Sequence, residues 1–435
     1  MSLIGCVDVG STFTKLAVVD TATGELAATA SHPTTLGTDV LRGVDATVAA
    51  TGLRLDDLRA CSSAGGGLRL AVIGYEALVT AEAGYRVGMS AGAKVVHVSA
   101  GRLDAAGVAA VRAARPDVLL LVGGTDGGDA DTLLHNARRI ARIAVPVVVA
   151  GNADAREEAC EILAARTAVG CDNVLPRIGT LNPGPARLAL REVFLRHVIG
   201  GKKLSRGPRF GAMVRGATPD IVLSAVELLD GDVVVVDVGG ATTDVYSVLT
   251  PDPEREAGLH GEVAGTLWRS RTVEGDLGVR WGAPGVVEAA LREKLIGGPE
   301  AAVLAPAAEA RAGDPGFLAD DLAVDARLAE LAVTVALRRH ARGERVLADG
   351  PLRGGKDLRE VRLVIGSGGV LRTLPAGASD ALLAAALSDH AGSWPTPRAA
   401  RRHVDRAYVL AAAGLLAEDH PDAARALLAG LAGTA

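Results

Sequence analysis

Between residues 66 and 180, short apolar runs alternate with longer segments that have a helical pattern. Each apolar run is rich in Leu or β-branched residues and is bounded by Gly, Asp or Pro, which is typical of a strand. Strands are predicted at Leu68–Ile73, Lys94–Val98, Val118–Val122, Val145–Val149 and Asn173–Leu175. Helices rich in Ala, Leu and Arg are predicted between them, at Ala77–Ala91, Asp104–Ala114, Ala130–Ile143 and Ala155–Ala168. Strands that are apolar throughout are buried on both faces, so this block is predicted to form a parallel-sheet α/β domain.

Outside this block the apolar runs come in close pairs around a glycine turn, which predicts β-hairpins. The pairs are Leu3–Val9 with Lys15–Asp20 and Val233–Val238 with Thr242–Leu249. When Asp8 is placed on Asp237, the letters VDVG coincide and Thr14 falls on Thr243. The sequence therefore predicts one hairpin that occurs twice.

A further isolated strand is predicted at Leu363–Ile365, followed by Gly366-Ser367-Gly368-Gly369 and a helix. The tail, Ala399–Ala435, has a helical composition. Loops are predicted where Gly and Pro are frequent, at Thr250–Gly265, Ala305–Gly316 and Ala348–Asp357. We divide the chain into residues 1–65, an inserted domain over 66–180, and residues 181–435.

Composition narrows the function classes. The 46 basic and 51 acidic residues give a net charge of −5, which offers no surface for nucleic acid or an anionic membrane. No apolar run approaches the roughly 20 residues of a membrane span, and no signal peptide is visible. The four cysteines form no CxxC pair, so we expect a reducing, cytoplasmic location. Glycine accounts for 54 of the 435 residues, which is above the usual level near 7%. In a chain this apolar, the glycine excess does not indicate disorder.

The glycine turns suggest a chemistry. A strand that ends in Asp-x-Gly presents a carboxylate, while the glycine lets backbone amides approach an anion closely. Carboxylates in such a place suit Mg²⁺, which keeps several waters and takes one or two carboxylates plus phosphates. Lys15 adds a cation beside the first turn. One such turn is more often plain turn chemistry, but two turns and a late GSGG together indicate one nucleotide cleft.

The segments VDVGSTFTK, VVDVGGATTD and VIGSGGV resemble the first phosphate, second phosphate and adenosine motifs of the actin, sugar-kinase and heat-shock chaperone ATPase superfamily. More narrowly, the chain resembles the glutamate mutase L family, accessory proteins encoded beside adenosylcobalamin-dependent mutases. That likeness rests on GGTDGGD at residues 123–129, TVEGDLG at 272–278 and the ATTD ending of the second motif. It spans nearly the whole chain.

The resemblance implies a two-lobed actin-like (ribonuclease H-like) ATPase core that carries the inserted Rossmann-like domain. It implies phosphate motifs around residues 8–15 and 233–249 and an adenosine motif at 362–372. Asp8 and Asp237 are then the expected Mg²⁺ ligands. The expected phosphate contacts are Gly10, Ser11, Thr12, Thr14, Lys15, Gly239, Gly240, Thr242 and Thr243. The expected adenosine contacts are Gly366, Ser367, Gly368 and Gly369.

Asp244 and Glu274 are candidates to orient an attacking water, although a carboxylate in such a position is more often solvated or a helix cap. The GGTDGGD loop has two equal interpretations. It is either a ligand site at the carboxyl end of a parallel sheet or a turn in which Asp129 or Asp131 caps the next helix.

The expected function is that of an accessory protein or reactivating chaperone that binds and hydrolyses ATP. The resemblance implies that its client is an adenosylcobalamin-dependent mutase. A small-molecule kinase and a nucleotide-dependent scaffold are the alternatives, and a homodimer is left open. A kinase needs a carboxylate general base beside a substrate pocket, and the sequence points to neither.

Overall fold

The computed structural model describes residues 2–64, 68–76, 79–198, 204–251, 268–314, 316, 322–345, 352–353, 355–389 and 391–432. Its strands are β1 Leu3–Val9, β2 Phe13–Asp20, β3 Glu25–Pro33, β4 Asp57–Ser62, β5 Leu68–Gly74, β6 Ala93–Ala100, β7 Val118–Leu121, β8 Val147–Val149, β9 Ala168–Gly170, β10 Val214–Ala217, β11 Val233–Val238, β12 Thr243–Val248, β13 Arg269–Glu274, β14 Glu344–Arg345, β15 Leu352–Arg353, β16 Leu363–Ser367 and β17 Arg401–Val404.

The helices are α1 Val40–Thr51, α2 Thr80–Ser90, α3 Ala105–Ala113, α4 Asp131–Ile140, α5 Arg156–Ile162, α6 Gly184–Val193, α7 Pro208–Met213, α8 Thr218–Val226, α9 Ala283–Arg292, α10 Gly298–Gly313, α11 Ala323–Arg342, α12 Gly369–Thr373, α13 Ala376–Leu387, α14 Val409–Leu416 and α15 Pro421–Ala432. Short 3₁₀ turns occupy Ala153–Ala155 and Ala391–Ser393, and a π turn occupies Phe194–Val198. No described helix is both long and apolar enough to cross a membrane.

The first sheet belongs to the amino-terminal lobe and has the strand order β10-β4-β1-β2-β3. Strand β2 is antiparallel to β1 and β3, whereas β4 is parallel to β1 and β10 is parallel to β4. Every residue of β1 is buried, which explains its unbroken apolar pattern. Because β10 follows the inserted domain, the chain completes this lobe only after it has returned from the insert.

The second sheet repeats the first, with the order β13-β12-β11-β16-β17 and the same strand directions. The registers correspond as well, since Asp8 lies opposite Lys15 and Asp237 lies opposite Asp244. The predicted duplication of the hairpin is therefore confirmed. Two sheets of this order form the two-lobed actin-like (ribonuclease H-like) core expected from the sequence.

The third sheet belongs to the insert and is parallel throughout, in the order β6-β5-β7-β8-β9. One predicted strand is wrong, because the last strand is Ala168–Gly170 and not Asn173–Leu175. The preceding helix correspondingly ends at Ile162 instead of Ala168. The Asn173 side chain accepts a hydrogen bond from the Leu175 amide at 3.0 Å, so the chain turns there instead of extending.

A second prediction is wrong at Ala305–Gly316, where a loop was expected and α10 continues to Gly313. The segment is Ala-rich, and Ala outweighs the single internal proline, Pro306, when one face of the helix is buried. That face contributes Leu304, Ala308 and Arg311. The tail is helical from Val409 onward but opens with strand β17. Most of the predicted loop Thr250–Gly265 lies outside the described residues. Half of the predicted loop Ala348–Asp357 is described, and there Leu352–Arg353 form strand β15 instead of a loop.

Helices α8 and α14 pack against each other between the two lobes. Their shared core contains Cys6 and Val19 from the first sheet and Val235 and Ile365 from the second. A Cβ on Gly414 would lie 2.0 Å from the Ile221 carbonyl oxygen, so the two helices cross at backbone contact. Both helices begin at the cleft between the lobes, since Thr218, which begins α8, and Tyr408, which precedes α14, line it.

Candidate functional site

The two glycine turns face one cleft between the lobes, with a volume of about 630 Å³. Eleven of the residues predicted to bind nucleotide, metal or water line it: Asp8, Gly10, Ser11, Thr12, Lys15, Asp237, Gly239, Gly240, Thr242, Asp244 and Gly369. Residues from both lobes and from the insert complete the lining. The cleft therefore gathers most of the candidate chemistry in one place.

Both turns are closed by the same hydrogen bond. The Gly10 amide donates to the Phe13 carbonyl at 3.1 Å, and the Gly239 amide donates to the Thr242 carbonyl at 2.9 Å. A Cβ at Gly10 or Gly239 would lie 2.8 or 2.9 Å from that carbonyl oxygen, so a side chain would force each turn open. The tips also meet, since a Cβ on Gly240 would lie 2.9 Å from Thr12 Oγ1.

Asp8 and Lys15 form an ion pair at the base of the first turn, with 3.1 Å between Nζ and Oδ2. Asp8 Oδ1 also accepts a hydrogen bond of 2.7 Å from the Thr218 hydroxyl at the start of α8. Burial opposes the charge on Lys15, but Tyr408, Asp8 and Asp237 together outweigh it and raise the pKa of Lys15. Lys15 is thus a charged group held beside the first glycine turn.

Asp237 stands at the equivalent place in the second turn and has a different environment. Burial is the main cause that raises the pKa of Asp237 to about 6, and the neighbouring carboxylates Asp244 and Asp8 add to it, against the opposing effect of Lys15. The Ser367 side chain is hydrogen-bonded to the same carboxyl. A carboxyl group crowded by two others is one that a bound cation would stabilise in its charged form.

The donor set fits Mg²⁺ better than a metal held by protein alone. Among the described residues, no three His, Cys, Asp or Glu side chains are grouped closely enough to hold a metal ion. Mg²⁺ does not need such a group, because it keeps several waters and takes one or two carboxylates together with phosphates. Asp8 and Asp237, which line the cleft from the two lobes, meet that requirement.

The two candidates for orienting water lie on different sides of the second sheet. Asp244 faces the cleft and accepts hydrogen bonds from Arg271 Nε and Nη2 at 3.0 and 2.6 Å. Glu274 does not line the cleft and is ion-paired with Arg339 at 2.7 Å. Neighbouring residues of a strand point to opposite faces, and Val273 faces the cleft. Of the two candidates, only Asp244 has its side chain in the cleft.

Several further predicted residues support the site from behind. The Thr14 hydroxyl lies 3.1 Å from that of Thr34, and the Thr243 hydroxyl donates to the Leu277 carbonyl, both away from the cleft. In the late glycine motif, a Cβ on Gly368 would lie 2.1 Å from the Val238 carbonyl, and a Cβ on Gly366 would lie 2.9 Å from Leu371 Cδ1. Within that motif Gly369 lines the cleft, Gly366 and Gly368 are packed closely against their neighbours, and Ser367 reaches Asp237 through its side chain.

Sequence reasoning missed a set of residues that come to the cleft from distant segments. They are Lys94, Thr218, Arg271, Arg280, Arg372 and Tyr408. Strand alternation could have indicated Arg271, since it precedes Val273 by two positions in β13. The others have no local pattern. Arg280, for example, is bound by Asp325 through two hydrogen bonds of 3.0 and 3.2 Å, across 45 residues of chain.

The GGTDGGD loop follows β7 at the carboxyl end of the insert sheet. The Thr132 amide, in the first turn of α4, donates to Asp129 Oδ1 at 3.0 Å, from one position before the N-cap residue Ala130. This contact agrees with the turn interpretation. The side-chain nitrogen Nδ2 of Asn173 donates to the Asp126 carboxylate at 2.9 Å and to the Gly124 carbonyl at 3.0 Å. A loop whose side chains are bound to neighbouring loops in this way serves to hold the ends of the strands together.

One family model and one curated relative match this chain along almost its full length. The model of the family described as "MutL protein" matches residues 4–430. The protein described as "Protein MutL" from Clostridium tetanomorphum is 34% identical over 458 aligned positions, which cover 96% of this chain and 96% of the relative. A nucleotide-free acetone carboxylase structure is 15% identical, covers 88% of this chain and 67% of its own, and has a TM-score of 0.37. The ethanolamine utilization protein EutJ from Carboxydothermus hydrogenoformans is 12% identical, covers 98% and 90%, and has a TM-score of 0.28.

Proposed function

The chain belongs to the MutL protein family, and from that membership we propose that it is an ATP-binding, ATP-hydrolysing accessory protein for an adenosylcobalamin-dependent mutase. The observation that carries the proposal is the pair of glycine turns with matching register on opposite walls of one cleft. Each turn brings a carboxylate, Asp8 or Asp237, to the same space. That arrangement suits a nucleotide held through its phosphates.

In this proposal the phosphates lie between the two turns. Backbone amides of the turns and the Thr242 hydroxyl would bind phosphate oxygens, and Lys15 would neutralise their charge. Gly369, which has no side chain and lines the cleft, would lie against the adenosine. The cleft volume of about 630 Å³ is within the usual range of ligand pockets, roughly 300 to 1,000 Å³.

Asp8 and Asp237 would hold Mg²⁺ through its waters, and the bound ion would supply positive charge beside the phosphates. The protein groups that remain have separate tasks. Asp244, fixed by Arg271, is placed to accept a hydrogen bond from a water molecule in the cleft. Glu274 is tied to Arg339 on the other face and would act by holding β13 in position.

The proposed work of the nucleotide is to change the angle between the lobes. The crossing of α8 and α14 is the natural pivot, because both lobes share its core. By the family resemblance, such motion would serve to reactivate or protect a mutase that uses adenosylcobalamin. The inserted domain has no counterpart in the described part of the second lobe. In this proposal it would carry the motion to that client.

The test compares wild type with Asp8→Asn and Asp237→Asn, which keep side-chain volume and remove the charge. Calorimetry should show Mg²⁺·ATP binding that is weaker by about tenfold or more in each variant, and phosphate release should fall as well. Asp422→Ala removes a fully exposed carboxylate on α15 and should change neither. Unchanged binding and turnover in both cleft variants would remove the proposal. If a screen of metabolites with ATP yielded a stable phosphorylated product, that result would favour the kinase alternative.

A further inference from the structure

Lys94 is a cation that reaches the cleft from the inserted domain. It is the second residue of β6, and it lines the cleft together with Gly92. Its ammonium group lies close to the second lobe, since a Cβ built on Gly275 would lie 3.6 Å from Lys94 Nζ. The sequence around residue 94 does not indicate that Lys94 reaches the cleft, because the segment has the pattern of an ordinary edge strand.

Of the other described cations of the cleft, three are ion-paired, and Arg372 lies over an aromatic ring with no hydrogen-bond partner for its Nε. Lys15 is paired with Asp8, Arg271 with Asp244 and Arg280 with Asp325. The Arg372 guanidinium lies 5.0 Å from the centroid of the Tyr408 ring. Lys94 is exposed and has no ion pair or hydrogen bond among the described residues. Its ammonium group is therefore available to an anion in the cleft.

The strand order of the second sheet locates Lys94 relative to the nucleotide motifs. Thr243 lies opposite Glu274, so the next pair outward is Thr242 with Gly275, and Lys94 stands at that end. In the order β13-β12-β11-β16, the phosphate turn between β11 and β12 separates this end from Gly369, which follows β16. With strands about 4.8 Å apart, β13 and β16 are roughly 14 Å apart. Lys94 is thus on the side of the phosphate turn away from the proposed adenosine position.

The insert contacts both lobes at this point. Gly92 has φ +76°, and a Cβ on it would lie 2.9 Å from the Asp220 amide in the first turn of α8. The same turn of α8 begins with Thr218, whose hydroxyl binds Asp8. On the other side, α2 of the insert lies against β13 of the second lobe. A change in the angle between the lobes must therefore alter the contact of the insert with at least one side of the cleft.

We infer that Lys94 binds the terminal phosphate of a nucleoside triphosphate and that, through it, the inserted domain distinguishes the triphosphate from the diphosphate. The inference rests on the proposed nucleotide site. It adds the insert to that site as a third wall. Binding of the terminal phosphate would draw β6 toward the second turn, and its loss would release the insert. The insert position then reports which nucleotide is bound.

The test measures the affinities for Mg²⁺·ATP and Mg²⁺·ADP by calorimetry in wild type, Lys94→Met, Lys94→Arg and Arg102→Met. Arg102 is the matched control, because it is an exposed cation just beyond the other end of β6. Lys94→Met should weaken ATP binding by about tenfold or more and ADP binding by less than about threefold. Lys94→Arg should retain most of the preference for ATP, and Arg102→Met should match wild type.

The outcomes separate the inference from the proposed function. If Lys94→Met binds both nucleotides as wild type does, or weakens both equally, the inference is overturned and the nucleotide site stands. If wild type binds neither nucleotide, the proposed function fails and the inference fails with it. Hydrogen exchange gives a second readout. Helix α2 and strand β6 should be better protected with ATP than with ADP in wild type, and this difference should be absent in Lys94→Met.

Discussion

Lys15 Nζ donates a hydrogen bond of 2.5 Å to the Tyr408 hydroxyl and lies 4.1 Å from the centroid of the same ring. The contact joins β2 of the first lobe to Tyr408, which lies between β17 of the second sheet and α14. Tyr408 has φ 61° and ψ 39°, a left-handed conformation that is uncommon for a bulky residue. The buried Asp405 accepts hydrogen bonds from the Val409 and Leu410 amides at 2.9 and 3.1 Å and so fixes this turn. The cleft is closed at its base by a lysine–tyrosine contact between β2 and the segment that links β17 to α14.

Tyr408→Phe removes the hydroxyl and keeps the ring beneath the Lys15 ammonium group. Because a buried charged donor loses one acceptor, the free energy of unfolding should fall by about 1.5 to 3 kcal/mol in urea titrations. Tyr408→Leu also removes the ring and should cost about 1 to 2 kcal/mol more. Tyr75→Phe, on the insert, is the control and should stay within about 0.5 kcal/mol of wild type. Equal stability of Tyr408→Phe and wild type would show that the hydrogen bond contributes nothing net.

Local sequence patterns predicted those parts of the fold that are determined by residues close together in the chain. The duplicated hairpin could be found because strand period and turn residues are both local, and its two copies have the same register. The motif residues at the turns therefore reached one cleft as expected. The local pattern failed where a side chain redirected the backbone, as Asn173 does in the segment predicted as a strand.

Residues that are brought together only by tertiary packing left no signal in the sequence. Tyr408 meets Lys15 across 393 positions, and Thr218 meets Asp8 across 210. The composition of the GSGG motif also does not indicate the separate structural role of each of its glycines. The difference between Gly368 and Gly369 comes from how close the neighbouring strand β11 lies, which one sequence cannot reveal.

Asp237 should make the unliganded protein less stable as the pH rises. Its folded pKa is about 6, above the ordinary 3.8, so the folded state binds this proton more tightly than the unfolded state does. Its contribution to stability therefore falls between about pH 4 and pH 6, and above pH 6 the full penalty remains. Asp237→Asn should be more stable than wild type by on the order of 2 kcal/mol at pH 8 and equal to it near pH 4.

The control for this prediction is Asp244→Asn in the same cleft. Asp244 is paired with the buried Arg271, so its neutralisation leaves an unpaired cation and should destabilise the protein at pH 8. Urea titrations at several pH values measure both variants. A destabilised Asp237→Asn at pH 8 would contradict the expected sign and indicate that ionised Asp237 is well compensated.

His340 should give the opposite dependence on pH. It is fully buried, lies 2.9 Å from the Thr272 hydroxyl and 2.8 Å from that of Ser247, and burial followed by the charge of Lys356 lowers its pKa well below 6.5. Below pH 6.5 the unfolded state binds a proton that the folded state cannot, so stability should fall by about 1.4 kcal/mol per pH unit. Between pH 4 and 6 this slope opposes that of Asp237, so wild type alone cannot separate them.

The variant His340→Gln separates the two effects, because it keeps hydrogen-bonding atoms and cannot titrate. It should be less stable than wild type at pH 8, and the gap should narrow as the pH is lowered toward 4.5. The exposed Leu36, which precedes α1, provides the control, since Leu36→Gln introduces the same side chain without removing a titratable group. A gap between His340→Gln and wild type that stays constant over this range would mean that His340 takes up a proton inside the fold.

Gly368 and Gly369 are adjacent in one motif and should respond differently to alanine. Gly368 has φ +110°, and its Cβ would lie 2.1 Å from the Val238 carbonyl, so Gly368→Ala should cost about 3 kcal/mol or more of unfolding free energy. Gly369 begins α12 with nothing within 4 Å of a Cβ, so Gly369→Ala should keep or slightly raise stability. Because Gly369 lines the cleft, the same variant should weaken ATP binding by calorimetry while its unfolding curve matches wild type. Wild-type ATP affinity in Gly369→Ala would exclude a close adenosine contact, and wild-type stability in Gly368→Ala would contradict the approach of β11 to this turn.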